Sequence, residues 1–195
     1  MAALTSAKSV LRKEIKDILK NISLEERKEQ SANVFKKICL LKQFQDSKRI
    51  SLYLSTKDEI DTLPILKHIF DMGKEAFVPQ YCGKIMEMVK LRSMEDYETL
   101  PLTQWNIKQP STTESRENAL ETGGLDLIIL PGVAFTSNGK RLGHGMGYYD
   151  KYLKRCFQKQ GIKPYLVAVA FKEQIQEDIP ANEDDVPVNI VLTGQ

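Results

Sequence analysis

The chain has 195 residues, with 28 Lys and Arg against 26 Asp and Glu, 42% apolar and 28% charged residues and a formal charge of +2. That balance is globular and excludes a disordered, collagenous or fibrous chain, and the length predicts one domain over residues 1–195. No run of ~18 apolar residues predicts a membrane span, charges begin at Lys8 before any stretch could act as a signal peptide, and near-neutral charge gives no case for a nucleic-acid partner.

Residues 6–21 predict an amphipathic helix with Ser6 as its N-cap and Val10, Leu11, Ile15, Ile18, Leu19 and Ile22 on its apolar side. Lys8 and Arg12 share a different face. Ser23-Leu24-Glu25-Glu26 is a capping box that opens a second helix with Val34, Phe35, Ile38 and Leu41 buried. The two helices form a hairpin. Ile50–Leu54 predicts a strand, Leu63–Met72 a helix, Ala76–Val78 a strand stopped by Pro79, and Met86–Leu91 another strand. Residues 93–122 read as a long irregular loop holding the only tryptophan, Trp105. Leu125–Leu130 is a continuous apolar run, as a strand covered on both faces requires. Tyr148–Gln158 predicts a helix, and Leu166–Ala170 and Ile190–Leu192 the last strands.

Strands separated by helices predict an α/β fold with a mostly parallel sheet. Ligands in such sheets bind beyond the carboxyl ends of strands, so the segment after Leu130 is the first place to look. It runs Gly139-Lys140-Arg141-Leu142-Gly143-His144-Gly145-Met146-Gly147-Tyr148-Tyr149-Asp150 into a predicted helix. Alternating glycines followed by a helix start can cradle phosphates, or they can merely shape a turn. Neither the Walker A pattern nor the dinucleotide fingerprint is present.

Asp150 can hold a divalent cation beside cradled phosphates, or simply favour the helix dipole. Asp185, within Glu183-Asp184-Asp185, can add a second carboxylate, or belong to a solvated turn. Lys8 and Arg12 oppose the dipole of their own helix, a cost that a bound anion would offset; a solvated face is the other reading. Glu59 follows the first strand at its carboxyl end. Trp105 is either a stacking wall or a core anchor. Cys39, Cys82 and Cys156 are odd in number and far apart, which points to a reducing compartment. His68 and His144 give no zinc spacing, so a metal here would be a hard cation on carboxylates and ligand oxygens.

The run Pro131-Gly132-x-x-Phe135…Gly139-x-Arg141-Leu142-Gly143-x-Gly145-x-Gly147-Tyr148-Tyr149-Asp150 resembles the signature of the 5-formyltetrahydrofolate cyclo-ligase family. The resemblance continues through Lys8…Arg12, Ile50-Ser51-x-x-Leu54-Ser55 with Asp58-Glu59-Ile60, Trp105-Asn106-Ile107, Gly123-Gly124-Leu125-Asp126 and Phe171-Lys172-Glu173-Gln174. It implies a three-layer α/β/α fold and an ATP- and Mg²⁺-dependent closure of 5-formyltetrahydrofolate to 5,10-methenyltetrahydrofolate. By position, Lys8, Arg12, Arg141, Leu142, Gly143, His144, Gly145, Met146, Gly147, Tyr148 and Tyr149 would contact ATP. Leu54, Glu59, Trp105, His144, Gly145, Met146, Gly147 and Tyr148 would line the folate side. Asp150 and Asp185 would hold magnesium, and Glu59, Arg141 and Asp150 would carry the chemistry. The chain departs from the family at His144 and Met146, where relatives carry basic residues, and at Lys108, where they carry proline.

The implied partners are small molecules only, with no nucleic acid or membrane, and the implied state is a cytoplasmic monomer. Two other readings stand beside this one. The first is a non-catalytic folate or nucleotide binding module on the same fold. The second is a sugar-phosphate isomerase or transferase, for which no poised Lys/Glu pair is evident.

Overall fold

The computed structural model describes residues 2–104 and 106–195. Its helices are α1 (Ala2–Leu19), α2 (Leu24–Leu40), α3 (Lys42–Asp46), α4 (Leu63–Asp71), α5 (Met94–Thr99) and α6 (Tyr148–Lys159). Its strands are β1 (Arg49–Leu52), β2 (Glu75–Cys82), β3 (Ile85–Leu91), β4 (Leu127–Leu130), β5 (Ala134–Phe135), β6 (Arg141–Leu142), β7 (Tyr165–Ala170) and β8 (Ile190–Thr193). A 3₁₀ turn spans Lys172–Gln174. Six strands form one sheet in the order β3-β2-β1-β4-β7-β8, and β5 and β6 form a separate ribbon. Every pairing in the large sheet is parallel except β2 with the edge strand β3. No helix among the described residues is long and apolar enough to cross a membrane.

Alternation along the strands divides the core into two layers. Ile50, Leu52, Ala76, Val78, Leu127, Ile129, Val167 and Val169 face a cluster with Val34 and Ile38 of α2, Phe44 of α3 and Ile65, Leu66 and Ile69 of α4. Phe77, Ile128, Leu130, Leu166, Ala168 and Ala170 face Tyr149, Tyr152, Leu153 and Cys156 of α6. This is the three-layer α/β/α arrangement with helices on both faces of a mostly parallel sheet.

The N-terminal helical hairpin turns at residues 20–23, and its two arms bury in different places. Ser23 caps α2 by accepting from the Glu26 amide at 3.1 Å. The Glu26 carboxylate pairs with Lys172 rather than returning to the cap. Ile15 of α1 packs with Ala134, Leu142 and Ile179, so α1 covers the β5–β6 ribbon. Four expectations need correction. The first helix begins at Ala2, so Ser6 lies inside it and caps nothing. Val10 and Ile18 are exposed, because a stripe through Leu11, Ile15 and Leu19 is enough to cover the narrow ribbon. Pro79 does not stop β2: β1 lies beside β2 only over Glu75–Phe77, and beyond that point β2 has an open edge where a missing N–H is tolerated. Residues 93–122 are not wholly irregular. Ser93 accepts from the Asp96 amide to start α5, and Leu102 bridges Lys108 in a small hairpin.

Candidate active site

β1 is the first strand of the sheet, and the chain builds outward from it in both directions, to β2 on one side and β4 on the other. In open α/β sheets the crevice that takes ligands lies where the order reverses, here between β1 and β4. Its walls are the loop after β1 and the segment from β4 to α6.

The β1 loop is closed by its own polar side chains. Thr62 Oγ1 donates to the Tyr53 carbonyl at 2.7 Å and accepts from the Ser55 amide at 3.2 Å. Glu59 Oε2 accepts from both the amide and the hydroxyl of Thr56, at 2.8 and 3.0 Å. The carboxylate is thereby fixed at the strand's carboxyl end, with Oε1 unused among the described residues. Leu54, half-buried, stands in the same loop.

In the second wall, Gln174 Nε2 donates to the carbonyls of Gly132 and Val133 at 2.8 and 3.1 Å and fixes the start of the ribbon. β6 then delivers Arg141 and Leu142 into the glycine segment. Gly145 has φ 111° and Gly147, the N-cap of α6, has φ 67°. L-residues rarely adopt either conformation, and together they turn the backbone over the start of α6, where amides and dipole favour an anion. Arg12 closes this turn from α1: its Nε donates to the Gly143 carbonyl at 2.8 Å, and a Cβ on Gly145 would lie 3.7 Å from its Cζ.

Two cation–carboxylate pairs sit behind the loop. Arg141 Nη2 meets Asp150 Oδ1 at 3.0 Å, with side chains 3% and 18% exposed. The Arg141 guanidinium also lies over the Tyr149 ring at 5.7 Å, and its buried Nε has no hydrogen-bond partner among the described residues. Lys8 Nζ meets Asp185 Oδ2 at 2.5 Å. The pairs are joined through the Val186 amide, next to Asp185, which donates to Asp150 Oδ1 at 3.0 Å. Among the described residues, no group of three or more His, Cys, Asp or Glu could hold a metal alone. Asp150 accepts both of its bonds on Oδ1, and Asp185 accepts from Lys8 and the Asn182 amide on Oδ2. One oxygen of each carboxylate is thus unused, which fits Mg²⁺, a cation that takes one or two carboxylates and completes its shell with phosphates and water.

An aromatic wall completes the crevice. Tyr148 donates from its hydroxyl to the Gly83 carbonyl at 2.8 Å, and its ring meets Tyr81 edge-on at 4.9 Å. Burial raises the Tyr81 pKa to about 12, aided by the nearby Glu59 carboxylate. Burial also drives Tyr149 well above its ordinary value. His144 has solvent-exposed surface, but crowding by the surrounding protein lowers its pKa. Arg141 and Arg12 push the same way, and Glu59 opposes them. Met146 is 61% exposed at the mouth.

Arg12 thus reaches the glycine loop, Lys8 reaches Asp185, Arg141 reaches Asp150 and the Glu59 carboxylate acts on His144 of the same loop, while Trp105 lies outside the described residues. Sequence reasoning missed Tyr81, whose position two residues past Pro79 fell beyond the expected end of its strand. It also missed Gln109, which donates to the Tyr81 carbonyl at 3.2 Å and ties the 102–108 hairpin to this wall.

The model of the 5-formyltetrahydrofolate cyclo-ligase family matches residues 4–194. The chain belongs to that family. A 5-formyltetrahydrofolate cyclo-ligase of Mus musculus is 52% identical over 196 residues, covering 98% of this chain and 97% of that protein. A probable 5-formyltetrahydrofolate cyclo-ligase of Caenorhabditis elegans is 41% identical over 197 residues, covering 98% and 95%. Among solved structures, the NMR structure of Aquifex aeolicus 5,10-methenyltetrahydrofolate synthetase superposes with a TM-score of 0.77 at 31% identity, covering 96% of this chain and 90% of that one. Membership makes this crevice the candidate active site of a cyclo-ligase.

Proposed function

We propose that this chain is a single catalytic domain that closes 5-formyltetrahydrofolate to 5,10-methenyltetrahydrofolate at the expense of ATP. The observation that carries the reading is the turn from Arg141 to Tyr149, clasped by Arg12 and ending on the Arg141–Asp150 pair at the switch point of the sheet.

The formyl group on N5 is amide-like and a poor electrophile. In the proposed reaction its oxygen attacks the γ-phosphorus and ADP leaves. N10 then attacks the formyl carbon, the phosphorylated oxygen leaves as inorganic phosphate, and N10 loses its proton. Phosphoryl transfer asks the protein for positioning and charge stabilisation more than for covalent help. Loop amides, Arg12, Lys8 and Arg141 supply positive charge to the phosphates. Glu59 presents its unused Oε1 to the folate, orients the pterin and accepts the N10 proton. Tyr148, Leu54 and Trp105 line the folate side, with His144, Gly145, Met146 and Gly147 between the two substrates. Asp150 and Asp185 would hold Mg²⁺ through their unused oxygens, and bound Mg²⁺ would neutralise developing phosphate charge.

The enzyme works as a monomer in the cytoplasm, a setting that fits three cysteines free of disulfides and a near-neutral charge. The test is direct. Protein, ATP, Mg²⁺ and 5-formyltetrahydrofolate should generate the near-ultraviolet absorbance of the methenyl product with matching release of ADP. A folded preparation that binds ATP and yields no absorbance refutes the reading.

A further inference from the structure

The two ion pairs behind the glycine loop differ in freedom. Arg141 is locked: its side chain is 3% exposed, its Nη1 reaches the Pro131 carbonyl at 3.4 Å, and its guanidinium lies against Tyr149. Lys8 has one bonding partner among the described residues, Asp185, and sits on a flexible four-carbon stem. Asp185 is held independently of Lys8, because the Asn182 amide donates to Oδ2 at 2.7 Å and its own amide donates to the Asn182 carbonyl at 3.2 Å. The ammonium can therefore leave while the carboxylate stays. Lys8 also stands one helical turn before Arg12, which already touches the glycine loop.

The Lys8 and Asp185 side chains are only 13% and 22% exposed. Leaving either charge alone there is costly. A divalent cation arriving alone on Oδ1 of Asp185 stands beside the Lys8 ammonium on Oδ2 and repels it toward a site with no anion. A triphosphate arriving alone draws Lys8 away and leaves a bare carboxylate beside phosphate oxygens. Arriving together, they leave neither charge unpaired.

We infer that Lys8 is an exchangeable counter-ion on Asp185, and that this pair selects the metal-complexed triphosphate over free nucleotide or free metal. The inference rests on the reading of the loop as a triphosphate site. Coupling of this kind is reciprocal, so removing either partner strengthens binding of the other partner's ligand taken alone.

Equilibrium binding tests it without turnover. Mn²⁺ alone, followed by electron paramagnetic resonance, should bind Lys8→Met about tenfold tighter than wild type, within the usual range of coupling between sites. Adenylyl imidodiphosphate in excess chelator should bind Asp185→Asn about fivefold tighter than wild type. With metal and nucleotide together, both variants should bind more weakly than wild type. Lys172→Met, which removes a partly exposed cation paired with Glu26 and not with Asp150 or Asp185, should leave Mn²⁺ affinity within about twofold, as a screened surface charge does. Unchanged or weaker Mn²⁺ binding by Lys8→Met overturns the inference, as does an equal gain in Lys172→Met. Lys8→Gln carries the same expectation should Lys8→Met fail to fold. A parallel assay on wild type separates the two claims: turnover with no Mn²⁺ gain sinks the exchange alone, and a Mn²⁺ gain with no turnover sinks the proposed reaction alone.

Discussion

Arg12 Nε donates to the carbonyl oxygen of Gly143 at 2.8 Å across 131 positions of sequence. This bond joins α1 to the loop that β6 delivers, and it orients the guanidinium toward Gly145. A hydrogen bond from a charged donor contributes about 1.5–3 kcal/mol, and the partly exposed setting favours the lower figure. Arg12→Met should raise the KM for ATP by about tenfold or more, equivalent to at least one such bond, and lower the melting temperature only slightly. Arg12→Lys keeps the charge without the directed bond and should recover part of the affinity. Steady-state kinetics at saturating folate decide it, and an unchanged KM in both variants removes Arg12 from the nucleotide side.

Asp150 has a structural role as well as its proposed metal role, since it accepts from both Arg141 and the Val186 amide on one oxygen. Asp150→Ala leaves a 3%-exposed guanidinium without its carboxylate and should cost about 3 kcal/mol of stability. Asp150→Asn keeps an acceptor and should cost about 1 kcal/mol. Both should lower turnover by about 100-fold or more, the scale for losing a group that stabilises transition-state charge. Denaturant unfolding beside kinetics separates the two roles. Equal stability losses in Ala and Asn would show that the Arg141 contact is not what matters.

Gly145 and Gly147 make a matched pair for testing the cradle. Added methyl groups would meet only ordinary contacts, Arg12 Cζ at 3.7 Å and Lys151 Cε at 3.9 Å respectively. Any defect in Gly145→Ala or Gly147→Ala therefore comes from backbone conformation, at a cost of about 1–2 kcal/mol each. ATP affinity should fall while the KM for folate changes less. Isothermal titration with a non-hydrolysable nucleotide measures it, and wild-type affinity in both would show that the loop does not need its left-handed residues.

His144 supplies a pH signature. Its pKa lies below the ordinary imidazole value of 6.5 because crowding by the surrounding protein strips water from the charged form of this partly exposed ring, with Arg141 and Arg12 adding to the effect against Glu59. The folded protein therefore binds fewer protons there than the unfolded chain in the window just below pH 6.5. Stability is full above 6.5 and declines as pH falls through that window. His144→Gln should flatten this part of the profile. A triphosphate settling beside the ring should raise its pKa, so nucleotide binding below pH 6.5 should take up protons. Calorimetry in two buffers of different ionisation enthalpy detects the uptake. Equal heats in wild type and His144→Gln after buffer correction would place the ring away from the phosphates.

How much of this was legible in the sequence follows from the range of each interaction. Leu127–Leu130 and Tyr165–Ala170 announced themselves as apolar runs because both faces of those strands are covered. The glycine segment and Asp150 were legible because their signal is local, a turn followed by a helix start. Lys8 and Arg12 were legible as an anomaly, two cations opposing a dipole. That Lys8 meets Asp185 was not, since nothing in a local pattern specifies a partner 177 positions away. The β5–β6 ribbon escaped because two-residue strands leave no periodicity. Tyr81 escapes a local reading because Pro79 resembles a strand stop, whereas β2 outlives its neighbour β1 and continues along β3.

The seam at the centre of the sheet carries one more consequence. Ile50 pairs with Leu127 and Leu52 with Ile129, so these two strands meet across an intervening segment that holds α4, the β2–β3 hairpin and α5. Non-local parallel pairing of this kind is slow to form, because loop-closure entropy is lost before contacts repay it. Recovery of nucleotide binding after dilution from denaturant should accordingly lag behind recovery of helical circular dichroism. A kinetic species that holds its helices while that seam is open would be one that binds nothing.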